Sequence, residues 1–234
     1  MVDQLADMVK DRERSFYWSI LFAPAEHRHA LITLYAFMIE MKRIRFIASD
    51  PVLAQIRLQW WRERIEGEHA QEFSSVPLGR ALKDLFNHNH VPPSSLLNLI
   101  DAREQEIITS GFAATPDEAI IESYCGSCHA VIIHLATLIL NGGQDAGLSE
   151  VSGHAGMVLG LIEALREDRL ALLREDLAIL AREHLFKLRS LSPSIPVEVK
   201  AAYLPLVVAE PFLNSITSKN GQIEYTDPSA LSVL

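Results

Sequence analysis

His27-Arg28-His29-Ala30-Leu31-Ile32-Thr33-Leu34-Tyr35-Ala36-Phe37-Met38-Ile39-Glu40-Met41-Lys42-Arg43-Ile44-Arg45-Phe46 places apolar side chains at Leu31, Leu34, Phe37 and Met38. That is the three-and-four spacing of an α-helix, not the alternation of a strand. Ser15-Phe16-Tyr17-Trp18 and Ile20-Leu21 lead into it, with a break at Ala23-Pro24. Its far end is polar in one sense only: after Glu40 come Lys42, Arg43 and Arg45.

The same period returns at Val52, Ile56, Leu58 and Trp60 and in every later segment. Turn or cap residues separate the segments at Asp50-Pro51, Glu72 to Pro77, Val91 to Ser95, Thr115-Pro116-Asp117-Glu118, Asn141-Gly142-Gly143 and Ser190 to Pro196. Proline in a first turn and Ser, Thr or Asp just before an apolar run announce helix starts. The pattern predicts helices over 14–22, 24–48, 51–67, 76–90, 94–110, 116–140, 149–168, 170–191 and 196–217. With no internal repeat, this is one all-α domain over residues 1–217, followed by a loosely ordered tail over 218–234. Periodicity leaves open whether the bundle is solid or surrounds a cavity.

The chain has 234 residues, 49% of them hydrophobic, with 21 basic and 30 acidic residues interspersed for a net charge of −9. That balance argues against a general nucleic-acid partner and leaves small anionic ligands open. No uncharged apolar run reaches the ~20 residues needed to span a bilayer, so no transmembrane segment is expected. The N-terminus, with Asp3, Asp7, Lys10, Asp11, Arg12 and Glu13, is too charged for a signal peptide. The expectation is a cytoplasmic protein, with peripheral contact at the inner face of a membrane allowed.

The ordered fragments resemble the squalene/phytoene synthases. They run from Ser15–Trp18, Pro24, His27-Arg28 and Leu34–Phe37 through Arg57–Glu63, Pro77–Leu82, Val91-Pro92 and Leu99–Glu104. They continue through Tyr124-Cys125, Gly156–Arg166, Ala202–Leu206 and Pro211-Phe212-Leu213. The resemblance implies an isoprenoid (squalene/phytoene) synthase-type helical domain whose antiparallel helices surround a central apolar cavity. In active members an Asp-Asp-x-x-Asp cluster follows Tyr-Ala-Phe, and Asn-x-x-Arg-Asp-x-x-x-Asp lies on a later helix; both hold magnesium against a prenyl diphosphate. Here Lys42, Arg43 and Phe46 stand at the first motif. At the second, Arg166 is kept, Glu167 replaces one aspartate and Ala171 the other. The Arg-x-Tyr-Leu-Pro segment that comes next, matched to Arg169 through Arg174, lacks Tyr and Pro.

Magnesium needs carboxylates one turn apart to face a leaving group of about three negative charges, and Lys or Arg cannot hold a cation. The departures are similar to one branch of the family, that of the mitochondrial assembly factor for respiratory complex I. That branch keeps the Ser15–Trp18 opening, a Tyr-Ala-Phe-x-x-Glu segment (Tyr35 to Glu40) and an Arg-x-Gln-Trp-Trp-like helix (Arg57 to Trp61). The resemblance implies the synthase fold with no established synthase chemistry: a non-catalytic or strongly altered member, with no cofactor expected. Its partners would be an isoprenoid diphosphate, a lipid or subunits of a respiratory complex.

Candidate cavity and phosphate-binding residues are Tyr35, Phe37, Glu40, Arg43, Arg45, Trp60, Arg62 and Arg166. Arginine suits a phosphate by bidentate pairing, and Arg43 or Arg45 is expected to face inward while Lys42 faces water. The alternative is a working prenyltransferase that condenses prenyl diphosphates head to head, with Mg2+ held by Glu40, Glu163 and Glu167. Glu163 and Glu167 are four apart and so share a helix face, although ion pairs with neighbouring Arg166, Arg169 and Arg174 are the simpler reading.

Cys125-Gly126-Ser127-Cys128-His129 matches a covalent haem-attachment pattern, but it runs on into Ala130-Val131-Ile132-Ile133-His134-Leu135, an ordinary buried helix. Reduced core thiols are the expectation. His27 with His29 and His88 with His90 lack helical ligand spacing. No serine elbow, glycine-rich phosphate loop or zinc spacing occurs.

Overall fold

A computed structural model describes residues 2–48, 50–68, 70–88, 91–110, 118–167, 173–219 and 222–225. It is built from helices α1 (Val2–Arg12), α2 (Arg14–Phe22), α3 (Ala25–Ile47), α4 (Pro51–Ile65), α5 (Ala70–Ser75) and α6 (Pro77–His88). After these come α7 (Pro93–Ser110), α8 (Glu118–Cys125), α9 (Val131–Leu140), α10 (Ser149–Leu165), α11 (Arg174–Leu191) and α12 (Ala209–Ser215). A hairpin of β1 (Ile216–Lys219) and β2 (Gln222–Tyr225) ends the described chain, with Ile216 opposite Tyr225. The domain is all-α apart from that hairpin, which occupies the start of the stretch expected to be a loose tail.

The helix that carries Leu31 to Phe37 is the axis of the bundle. From Ala30 through Ile39 every residue of α3 is buried, so no face of its middle meets solvent, as expected of a core helix. Asp50 then caps α4 by accepting a hydrogen bond from the Leu53 backbone N–H at 2.9 Å, with Pro51 in the first turn. Extended Ala48 ends α3 and the Asp50 cap starts α4, so the two helices follow one another closely.

The helix expected over 116–140 contains a π turn at Gly126–Ala130 between α8 and α9. One extra residue in the turn changes the helical phase of α9 relative to α8 and brings His129 inward. Glycines on α10 make the crossing close: a Cβ at Gly156 would lie 2.2 Å from the Ala130 backbone nitrogen, and one at Gly160 would lie 2.5 Å from Cys125 Sγ. The continuous stretch Ala119–Leu140 is long and apolar enough to cross a membrane by length and composition. That corrects the expectation that no such stretch exists. In this fold it is a core helix, with Ile121, Cys125, Ile132, Ile133 and Ala136 buried.

Other departures have local causes. α1 escapes a reading of the periodicity because, among the described residues, its buried positions are Leu5 and Val9, four apart, with Ala6 and Met8 partly buried against the core. The stretch expected as an α-helix over 196–217 is a 3-10 helix over Val197–Val208 before α12. Its three-residue turn aligns Val199, Ala202 and Pro205, all buried, and Pro205 supplies no backbone donor. Gly142 and Gly143 end α9 with positive φ, and the Gly143 N–H returns to Leu138 O at 2.9 Å.

Candidate functional site

The C-terminal turns of α3 face the C-terminal turn of α10, so the two stretches that match the magnesium motifs do meet. What joins them is a lattice of ion pairs. Lys42 Nζ lies 2.8 Å from Glu13 Oε1 and 2.9 Å from Glu163 Oε2. The same Glu163 oxygen accepts from His129 Nε2 at 3.2 Å. One turn further along, Arg45 forks onto both oxygens of Glu167 at 3.1 and 2.9 Å and reaches Glu106 Oε1 at 2.6 Å. Arg103, 5% exposed, holds the other Glu106 oxygen at 3.3 Å.

The electrostatics are mutual. Burial alone would raise the Glu163 carboxyl, but Lys42, the hydrogen bond from His129 and the more distant Arg103 hold it well below the ordinary carboxylate range. Burial disfavours the charged Lys42 ammonium, yet Glu163 and Glu13 raise it above its usual value. Arg45 is likewise raised against its burial by Glu167 and Glu106. Three cations therefore meet four carboxylates between α3, α7, α10 and the residue joining α1 to α2, and none of the three cations is spare.

Several expectations are corrected by this arrangement. Lys42 does not point to water; it is the link between the two motif helices. Arg45 faces inward as expected, but towards carboxylates. Arg43 makes only a local pair with Glu40 at 3.0 Å. The Glu40, Glu163 and Glu167 magnesium set does not assemble, because each carboxylate is paired with a different cation. Among the described residues no group of three or more His, Cys, Asp or Glu side chains is placed to hold a metal. Glu163 and Glu167 each meet a cation carried by α3.

The remaining candidates scatter. Tyr35 is fully buried, bonded to Ser19 at 3.0 Å and edge-on to Phe16; Phe37 is fully buried edge-on to Trp61. Trp60 is half-buried beneath the Arg64 guanidinium. Arg62 ties α4 to α7 through Asp101 at 2.6 Å and Glu104 at 3.0 Å. Arg166 is exposed, with its guanidinium 4.9 Å from the Phe212 ring centre. The segment matched to Arg-x-Tyr-Leu-Pro begins outside the described residues, as does His90.

Glu13, Arg103, Glu106 and His129 join the site without being marked for it by the sequence. Their only sequence signals are weak: Arg103 and Glu106 at a helical spacing of three, and a histidine beside a cysteine pair. Cys125 and Cys128 are buried free thiols. Burial pushes the Cys128 thiol up to about 12, against the pull of Arg103. Tyr124 packs beneath Arg103, and the buried Tyr124 Oη and Arg103 Nε have no hydrogen-bond partner among the described residues.

Comparison with known proteins places this geometry. The squalene/phytoene synthase family model matches residues 9–167, from α1 to the end of the ion-pair lattice. The chain is similar to NADH dehydrogenase (ubiquinone) complex I, assembly factor 6, of Bos taurus, at 23% identity over 90% of this chain and 72% of the relative. The Homo sapiens protein is 22% identical over the same shares. The Drosophila melanogaster homolog is 23% identical over 91% of this chain and 74% of its own. The family match takes in both Lys42–Arg45 and Glu163–Glu167 and more than half of the chain, and the chain belongs to the squalene/phytoene synthase family.

Proposed function

We propose that this protein is a non-catalytic member of its family that assists the assembly of a respiratory NADH dehydrogenase, working at the inner face of the membrane. One observation carries the reading: Lys42 and Arg45 occupy, with Glu163 and Glu167, the contact between motif helices where catalysis would need magnesium. Prenyl transfer must stabilise a departing diphosphate, and the positive charge for that has to be available to the substrate. Here the positive charge is fixed in protein ion pairs. The names of the similar assembly factors support the same reading.

An isoprenoid or lipid chain remains the proposed small ligand, held through apolar contact rather than through a metal-bridged diphosphate. The orphaned Tyr124 Oη and Arg103 Nε give a polar headgroup or an ordered water a place to bond. The test is removal of the gene in its native host. The reading expects loss of the assembled NADH dehydrogenase on native gels with isoprenoid products unchanged. An intact complex with a missing head-to-head isoprenoid would overturn it in favour of the transferase.

A further inference from the structure

α11 packs on α10. Its buried stripe runs through Leu177, Ala181 and Leu188, and that of α10 through Val151, Val158, Leu161 and Leu165. The helical period leaves one more position in each stripe, and both carry histidine: His154 follows Val151 by three residues, and His184 follows Ala181 by three. The two half-buried rings meet edge to face, with centroids 4.9 Å apart and Nδ1 atoms 2.9 Å apart. Leucine at both places would complete the stripes without any polar contact.

Two imidazoles this close can share one hydrogen between their Nδ1 atoms and no more. In the neutral pair one Nδ1 carries the hydrogen and the other offers its lone pair. A first added proton goes to the outer Nε2 of the donor ring and strengthens the same hydrogen bond by charge. A second has only the accepting Nδ1 left to it, so two N–H groups and two positive rings would then face each other across 2.9 Å. His184 is the acceptor: burial and then the charge of His154 and of Lys187 lower it below its usual value, against Glu122 of α8 and Glu183 of α11. On α10 the exposed Glu150 lies one turn before His154. The other ties of α11 run to α12, where Arg182 donates to Leu213 O at 2.8 Å and Arg189 pairs with Glu210. Those guanidinium groups keep their charge throughout.

We infer that His154 and His184 form a one-proton clasp that holds α11 on α10 near neutral pH and releases it in weak acid, when both rings are protonated. The contribution of His184 is fully present above the unfolded histidine value of about 6.5 and is lost as pH falls below it. That range lies above the one in which carboxylates titrate, so the clasp is separable from the Glu163 lattice, which sits about 14 Å further along α10. The contacts to α12 persist, so α11 loosens on its α10 side alone. The clasp belongs to the fold and goes beyond the assembly role, holding whichever function the protein performs.

Hydrogen–deuterium exchange of the full chain reads the clasp directly when it is run with chelator at about pH 7.5 and 5.5 and corrected for intrinsic rates. At the lower pH, peptides of α11 should lose protection by about tenfold relative to those of α3. His184→Asn places an amide oxygen where the accepting nitrogen was and does not titrate, so its α11 protection should stay level across the two conditions. His154→Asn leaves His184 facing an amide that can turn either end towards it, and should stay level as well; if one variant folds poorly, the other decides. Equal protection of α11 in the parent at both pH values would overturn the inference, as would a loss in the folded variants as large as that of the parent.

Discussion

Lys42 Nζ stands 2.9 Å from Glu163 Oε2, so that a cation carried by one motif helix meets a carboxylate carried by the other. The lysine neutralises the Glu163 carboxylate near the end of α10 and ties that helix to α3. The pair is only about a quarter exposed, so its loss should be felt.

Lys42→Met should destabilise the fold by about 2 kcal/mol, less than a fully buried pair because water reaches the site. Adding Glu163→Gln should recover part of that loss, since the stranded carboxylate is then gone. Urea unfolding of the two single variants and the double variant measures the coupling. Additive losses would show that the contact is not energetic.

Acid should unfold the protein through the same lattice. Glu163 is held below its ordinary range, so its contribution is fully present above the unfolded value of about 4.3 and is lost as pH falls below it. Lys42 is raised, so its contribution persists below about 10.4 and fades only as pH rises beyond that. The urea midpoint should therefore hold through neutral pH and fall progressively as pH drops below the ordinary carboxylate range. Glu163→Gln should flatten that fall; an equally steep fall in the variant would remove Glu163 from the account.

Two glycines of one helix should respond with opposite signs. A methyl at Gly160 has no room beside Cys125 and His129, so Gly160→Ala should cost about 3 kcal/mol or more. Gly153 has nothing within 4 Å of its built Cβ, so Gly153→Ala should stabilise by about 0.5–1 kcal/mol through helix propensity. Thermal melts of both variants check the crossing between α10 and the π turn.

Cys125 and Cys128 should be inert while the protein is folded. Both are buried, and burial raises both thiols above their ordinary range. A thiol-specific reagent should titrate both only in denaturant, because the thiolate is the reactive form. Rapid labelling of native protein would contradict the packing of the π turn.

The helical core was legible because burial imposes a period: α3 shows it at Leu31, Leu34, Phe37 and Met38. The absence of aspartates was equally legible. What periodicity hides is partnership. Lys42, Arg43 and Arg45 lie within three residues yet meet Glu13 and Glu163, Glu40, and Glu106 and Glu167 respectively, because successive positions point about 100° apart around the helix. Glu13 was out of reach for a second reason: α1, with Leu5 and Val9 as its buried positions among the described residues, barely registers as a periodic segment. His129 was obscured because a π turn inserts one residue without any marker in the local sequence, and only the close approach of Gly156 and Gly160 fixes where it points.

The central claim is that protein cations have replaced the metal, and release of inorganic diphosphate tests it most directly. The purified chain is incubated with farnesyl or geranylgeranyl diphosphate and magnesium, and both diphosphate and C30 or C40 products are measured. The account predicts neither above the level without protein. Diphosphate release that depends on the protein and stops on adding chelator would contradict it, since a carboxylate-held metal would then still be at work between α3 and α10.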